Sequence, residues 1–215
     1  MKNRNIKLAI LIIGILILAL FYGVQSRSMQ DINGEAHSFI SIYLDGFQRY
    51  LFVGTFIVNI IIACTYIPYL NSIIKIRMKN NVFYCIWKKY LLIIFLFTIY
   101  ILFCFFIASV FCDYNNTMYV FNFNVFFRLF MFILTNFVVY NIAYLKTEKV
   151  FIGIAINIGI NFLILITGIA YQYHVVNNSM NEMQMMSILN VYTISVNIIG
   201  MIYLYMKTDK KECLK

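Results

Sequence analysis

Residues 90–111 read YLLIIFLFTIYILFCFFIASVF, from Tyr90 to Phe111. No charged side chain, proline or glycine interrupts this run. A helix crossing the hydrocarbon core of a bilayer needs about 20 apolar residues. This stretch meets that need alone, and it predicts a spanning helix.

Five further stretches follow the same rule. They run from Leu8 to about Val24, Tyr50 to Leu70, about Phe123 to Leu145, Val150 to Tyr171, and about Met186 to Met206. The expected fold class is therefore all-α, a polytopic membrane protein with six transmembrane helices. The composition agrees, since 63% of the 215 residues are hydrophobic and only 12% are charged. A water-soluble chain of this size lacks the polar surface to cover that much apolar material. The first stretch follows Lys2, Arg4 and Lys7, as a signal peptide would. Tyr22-Gly23-Val24-Gln25-Ser26 has no clear small-x-small cleavage pattern, so an uncleaved span is expected.

Basic residues set the orientation. With the N-terminus inside, 14 of the 17 Lys and Arg residues fall on the inner side. Only Arg27, Arg49 and Arg128 fall on the outer half. Inner-side enrichment of Lys and Arg predicts N-in and C-in. The formal net charge of +9 is read as topology and as attraction to anionic membrane lipids, and no nucleic-acid partner is expected. The chain is rich in Ile, Phe, Asn, Lys and Tyr, residues of AT-rich codons, which points to a bacterial cell membrane. The sequons at Asn115 and Asn177 carry no meaning in that setting. Residues 1–215 read as one transmembrane domain without a linker.

Two loops carry amphipathic stripes. On the inner side, Val82, Phe83, Ile86, Trp87 and Tyr90 fall on one helical face. On the outer side, Phe39, Ile40, Tyr43, Leu44 and Phe47 do the same. Short interfacial helices are expected at both places. Pro68 is expected to end or kink the second span.

Polar residues inside the spans are the candidate functional groups. Arg128 is the one charge well within a span. It either snorkels to headgroups or faces a polar cavity. Asn157 and Asn161 share a face of the fifth span, with Ala155 and Gly159 beside them fitting a close helix contact. Asn190, Thr193, Asn197 and Gly200 share a face of the sixth, and Asn136 and Tyr140 lie in the fourth. An amide in hydrocarbon must find a partner, so these faces point inward. They act as interhelical glue or as the wall of a polar pathway. The candidate pathway residues are Arg128, Asn136, Asn157, Asn161, Asn190 and Asn197.

Several chemistries find no residues here. There is no GxxxxGK[ST] loop, HExxH or GxSxG, and no span carries Asp or Glu. Cys64, Cys85, Cys104, Cys112 and Cys213 form no CxxC pair, so no zinc site or disulfide framework is expected. No cofactor is expected, and the chain is not expected to be an enzyme.

The layout resembles the permease subunits of the type-V exporter class of ABC transporters. It is similar in particular to small permeases of antimicrobial-peptide export and bacteriocin self-immunity in Gram-positive bacteria. That resemblance covers the whole chain as architecture. It implies a coupling helix between the second and third spans, where the Val82–Trp87 stripe lies. It places Arg77, Lys79, Phe83 and Trp87 at or near a cytosolic ATPase subunit. It also implies a dimer with a second permease copy or a paralogue, alternating access, and ATP hydrolysis on the separate subunit. Only Met1 to Lys7 precede the first span, and the last outer loop is short, which departs from many of those permeases. Two rivals are a bacteriocin-immunity or toxin-binding membrane protein without transport, and the substrate-capturing subunit of a vitamin importer. Ala9, Gly14 and Ala19 in the first span do not make the clear small-residue repeat of the latter.

Overall fold

Long uninterrupted apolar runs become helices because, in lipid, only intrahelical bonds satisfy every backbone N–H and C=O. The computed structural model describes residues 9–21, 24, 47–65, 82–112, 123–174 and 182–210, and of these all but Glu148 and Lys149 are helical. The helices are α1 (Ala9–Phe21), α2 (Phe47–Thr65), α3 (Val82–Cys112), α4 (Phe123–Thr147), α5 (Val150–His174) and α6 (Glu182–Lys210).

Among the described residues, four segments are long and apolar enough to cross a membrane: Trp87–Phe111, Phe123–Thr147, Val150–Ala170 and Ser187–Lys207. The protein is thus a multi-pass membrane protein. The first two expected spans appear as shorter apolar helices, Ala9–Phe21 and Gly54–Thr65. The end of the expected second span, with Pro68, lies outside the described residues, and so does most of the outer stripe. Only its last member, Phe47, is reached, and it opens α2.

The inner stripe behaves differently from expectation. Val82–Trp87 is not a separate interfacial helix but the opening of α3, which runs unbroken for 31 residues. No proline or glycine lies between Val82 and Cys112 to stop it. At 1.5 Å per residue α3 is about 46 Å long, against about 30 Å of hydrocarbon. Its first turns therefore extend beyond the core. They are held by rings: Phe83 packs edge-on against Tyr205 of α6 at 5.3 Å, and Tyr90 against Phe137 of α4 at 5.1 Å.

Helix α4 is the centre of the bundle and packs on α2, α3, α5 and α6. Val125, Leu129, Phe132, Ile133, Phe137 and Val138 are among its buried residues. Three neighbours reach it through glycines, each accepting an α4 side chain where a Cβ would stand. A Cβ on Gly54 of α2 would lie 2.7 Å from Phe132 Cε1, and one on Gly153 of α5 would lie 2.9 Å from the Tyr140 ring. One on Gly200 of α6 would overlap Val138 Cγ1. Missing Cβ atoms let backbones approach closely, which is how helices associate without a hydrophobic drive.

The expected close contact at Ala155 and Gly159 is overturned. Ala155 is exposed, and nothing lies within 4 Å of a Cβ on Gly159. The buried stripe of α5 is Gly153, Asn157 and Asn161, spaced by four residues. Ala155 and Gly159 sit two residues from Asn157, about 200° around the helix, and so face outward.

A two-residue link joins α4 to α5. Glu148 takes a left-handed φ of 56° and its N–H donates to Tyr144 O at 2.7 Å, closing α4. The Gly153 N–H then donates to Lys149 O at 3.1 Å as α5 begins. So short a turn makes α4 and α5 antiparallel neighbours.

Candidate functional site

The distinctive chemistry is a relay of neutral amides through the middle of the bundle. Asn136 lies 11 residues from the Thr147 end of α4, about 16 Å, which is near half the core thickness. Its Nδ2 donates to Phe132 O one turn back, at 2.8 Å. Its Oδ1 accepts from Asn161 Nδ2 of α5 at 2.6 Å. Asn161 Nδ2 also donates to Asn157 O at 3.1 Å. Asn157 Nδ2 crosses to α2 and donates to Asn59 Oδ1 at 2.9 Å. Asn59 Nδ2 ends the relay on Thr55 O at 2.8 Å. All four asparagines are buried. Each amide offers both a donor and an acceptor, so a string of them can pass direction from one helix to the next.

A second seam joins α4 to α6. Thr135 Oγ1 donates to Met131 O at 2.8 Å and, more weakly, to Thr193 O at 3.4 Å. Asn197 Nδ2 donates back to Met131 O at 3.2 Å. Every one of these groups is uncharged, and their donors are engaged with acceptors on their own or a neighbouring helix.

A crevice of about 260 Å³ opens sideways between α2 and α5. Phe56, Ile60, Ile158 and Phe162 wall it, and Thr55 and Asn59 contribute its polar atoms. A larger groove of about 380 Å³ between α1 and α2 is lined by apolar residues such as Leu11, Ile15 and Ile57. The first crevice thus reaches the α2 end of the relay, at Asn59 and Thr55, and the second does not.

The structure brings together three of the candidate pathway residues, Asn136, Asn157 and Asn161. Asn197 is buried in the α4–α6 seam. Asn190 is half-buried on α6, its carbonyl accepting from Thr193 Oγ1 at 2.8 Å. Arg128 is half-buried, eight residues from Asn136 and so about 12 Å away along α4. Arg77 and Lys79 lie outside the described residues. Phe83 is half-buried, and Trp87 is only 2% exposed, packed between Phe83 and Tyr90.

Sequence reasoning missed Asn59 and Thr55. The signal was available: Asn59 is the one amide in the otherwise apolar run Phe56–Cys64. A lone amide in a span requires a partner on another helix. Asn141 of α4, fully buried, was missed for the same reason.

No protein-family model, curated protein or solved structure matches this chain.

Proposed function

We propose that this chain is the transmembrane permease subunit of an ABC exporter in a bacterial cell membrane. It moves an amphipathic substrate, peptide in class, outward, with a separate cytosolic ATPase subunit and a second permease copy or paralogue. The observation that supports this reading best is the amide relay beside a laterally open crevice. Hydrogen-bonding groups at mid-depth suit a substrate that has polar backbone and apolar side chains, and a sideways opening suits one that partitions into lipid. The absence of charge in the relay fits transport driven by a partner's ATP rather than by a proton moving through this chain.

In this reading the ATPase grips the segment before α3, through Arg77 and Lys79, beside the projecting first turns of that helix. Trp87 supports the contact from inside the bundle and does not touch the partner. The test is to tag the chain, co-express its genomic neighbours and identify what co-purifies in mild detergent. A stoichiometric ATPase, retained by the native chain and lost in the double variant Arg77→Glu, Lys79→Glu, is the expected result. A chain that emerges alone overturns the exporter reading. Protection against an added bacteriocin by that lone chain would establish the immunity alternative.

A further inference from the structure

Two buried polar atoms on facing helices are chemically complementary and unpartnered. Trp87 Nε1 of α3 is a donor with no acceptor, and Asn141 Oδ1 of α4 is an acceptor with no donor. Trp87 is 2% exposed and Asn141 0%. The Asn141 side chain is oriented, because its Nδ2 donates to Phe137 O at 2.7 Å.

The ring contacts fix the relative depth of the two groups. Tyr90 meets Phe137 at 5.1 Å, and Phe95 meets Phe126 at 5.9 Å, so α3 and α4 run antiparallel. From the Tyr90–Phe137 contact, one turn back along α3 reaches Trp87. One turn forward along α4 reaches Asn141. Both steps lead toward the same end of the bundle. Trp87 shares the face of Tyr90 at i, i+3, and Asn141 shares the face of Phe137 at i, i+4. The donor and the acceptor therefore stand at one depth on the two helix faces that meet. Asn197 Oδ1 also lacks a donor, but Asn197 is bonded to Met131 O, ten residues and about 15 Å along α4 from Asn141.

Buried between the helices, neither group can turn to water, and an unmade bond costs more than a made one gains. We infer that Trp87 and Asn141 form a latch between α3 and α4. Closing the helices at this end, with the Tyr90–Phe137 contact as pivot, joins Trp87 Nε1–H to Asn141 Oδ1. The arrangement described above is the open position. This device is independent of the exporter reading and holds whatever the protein carries.

Trp87 is the single tryptophan of the chain, so its indole N–H gives a resonance that needs no assignment. The experiment records that resonance in ¹⁵N-labelled protein in lipid nanodiscs, for the native chain, Asn141→Leu and Asn141→Gln. Loss of the acceptor in Asn141→Leu should move the indole proton upfield and speed its exchange roughly two- to tenfold. Asn141→Gln, which keeps a neutral amide oxygen as acceptor, should stay close to the native position. An indole resonance identical in the native chain and Asn141→Leu overturns the latch. An equal displacement in both variants also overturns it, because packing and not the bond would then be the cause. Should Asn141→Leu fail to fold by circular dichroism, Asn141→Ala makes the same comparison.

Discussion

Single side chains decide how tightly this bundle closes, and glycine shows it most directly. Gly200 and Gly159 look alike in sequence, each within an apolar span. Gly200 receives Val138, whereas Gly159 faces open space. Gly200→Ala should therefore destabilise the protein by about 1–3 kcal/mol through overpacking. Gly159→Ala should be neutral or stabilising by up to about 1 kcal/mol through helix propensity. Unfolding midpoints in mixed detergent micelles check both, and an equal loss for the two variants would contradict the packing described. The amides can be tested as pairs. Asn136→Leu, Asn161→Leu and the double variant should give a coupling energy of about 0.6–1.7 kcal/mol, the range for hydrogen bonds between membrane helices. Asn59 with Asn157 should behave alike, while Asn190 with Asn136 should show no coupling. The inward face of Asn157 and Asn161 was legible because an i, i+4 amide pair in hydrocarbon has nowhere else to point. Gly153 was not legible, since nothing local distinguishes a glycine that receives a ring from one that meets lipid.

At the scale of the helix, the α4–α5 link is the place where sequence and geometry disagree. Glu148 occupies a left-handed conformation that glycine adopts without cost and other residues adopt at about 1–2 kcal/mol. Glu148→Gly should therefore stabilise the folded chain by about 0.5–1 kcal/mol, after the glycine's greater unfolded freedom is subtracted. A destabilised Glu148→Gly in the same unfolding assay would show that the carboxylate makes a contact worth more than the strain. The long helix α3 makes a second point at this scale. An amphipathic stripe at Val82–Tyr90 predicted a helix lying on the membrane surface, and its members Phe83, Trp87 and Tyr90 do turn into the protein. Periodicity says that a face is apolar but not what covers it. Here Tyr90 meets α4 and Phe83 meets α6, so the stripe continues into a span. This also changes the use of Trp87 as a probe. Trp87→Asp would bury a charge inside the bundle and unfold it, so loss of a partner in that variant would say nothing about the interface. Exposed Lys88 and Lys89 are better controls beside Arg77 and Lys79.

For the whole molecule, charge placement predicts the orientation. Lys88, Lys89, Lys146, Lys149 and Lys207 are all exposed at helix ends assigned to the inner side. A cysteine placed within residues 25–49 should react with an impermeant thiol reagent added to intact cells. Lys149→Cys should react only after the membrane is opened. Labelling of Lys149→Cys from outside would reverse the orientation. Hydropathy along the chain was enough to establish an all-helical, multi-pass membrane protein, because the bilayer demands about 20 apolar residues per crossing and forbids exposed strands. Charge placement was enough to predict its orientation, because inner loops gather Lys and Arg. Both are properties of the chain read in one dimension. The tertiary structure alone decided that α4 is the centre, that Gly54, Gly153 and Gly200 receive its side chains, and that Asn59 completes the relay from Asn136 through Asn161 and Asn157. Those outcomes depend on which faces of different helices meet, and residues such as Asn59 and Asn157, 98 positions apart, become neighbours only when the bundle has closed.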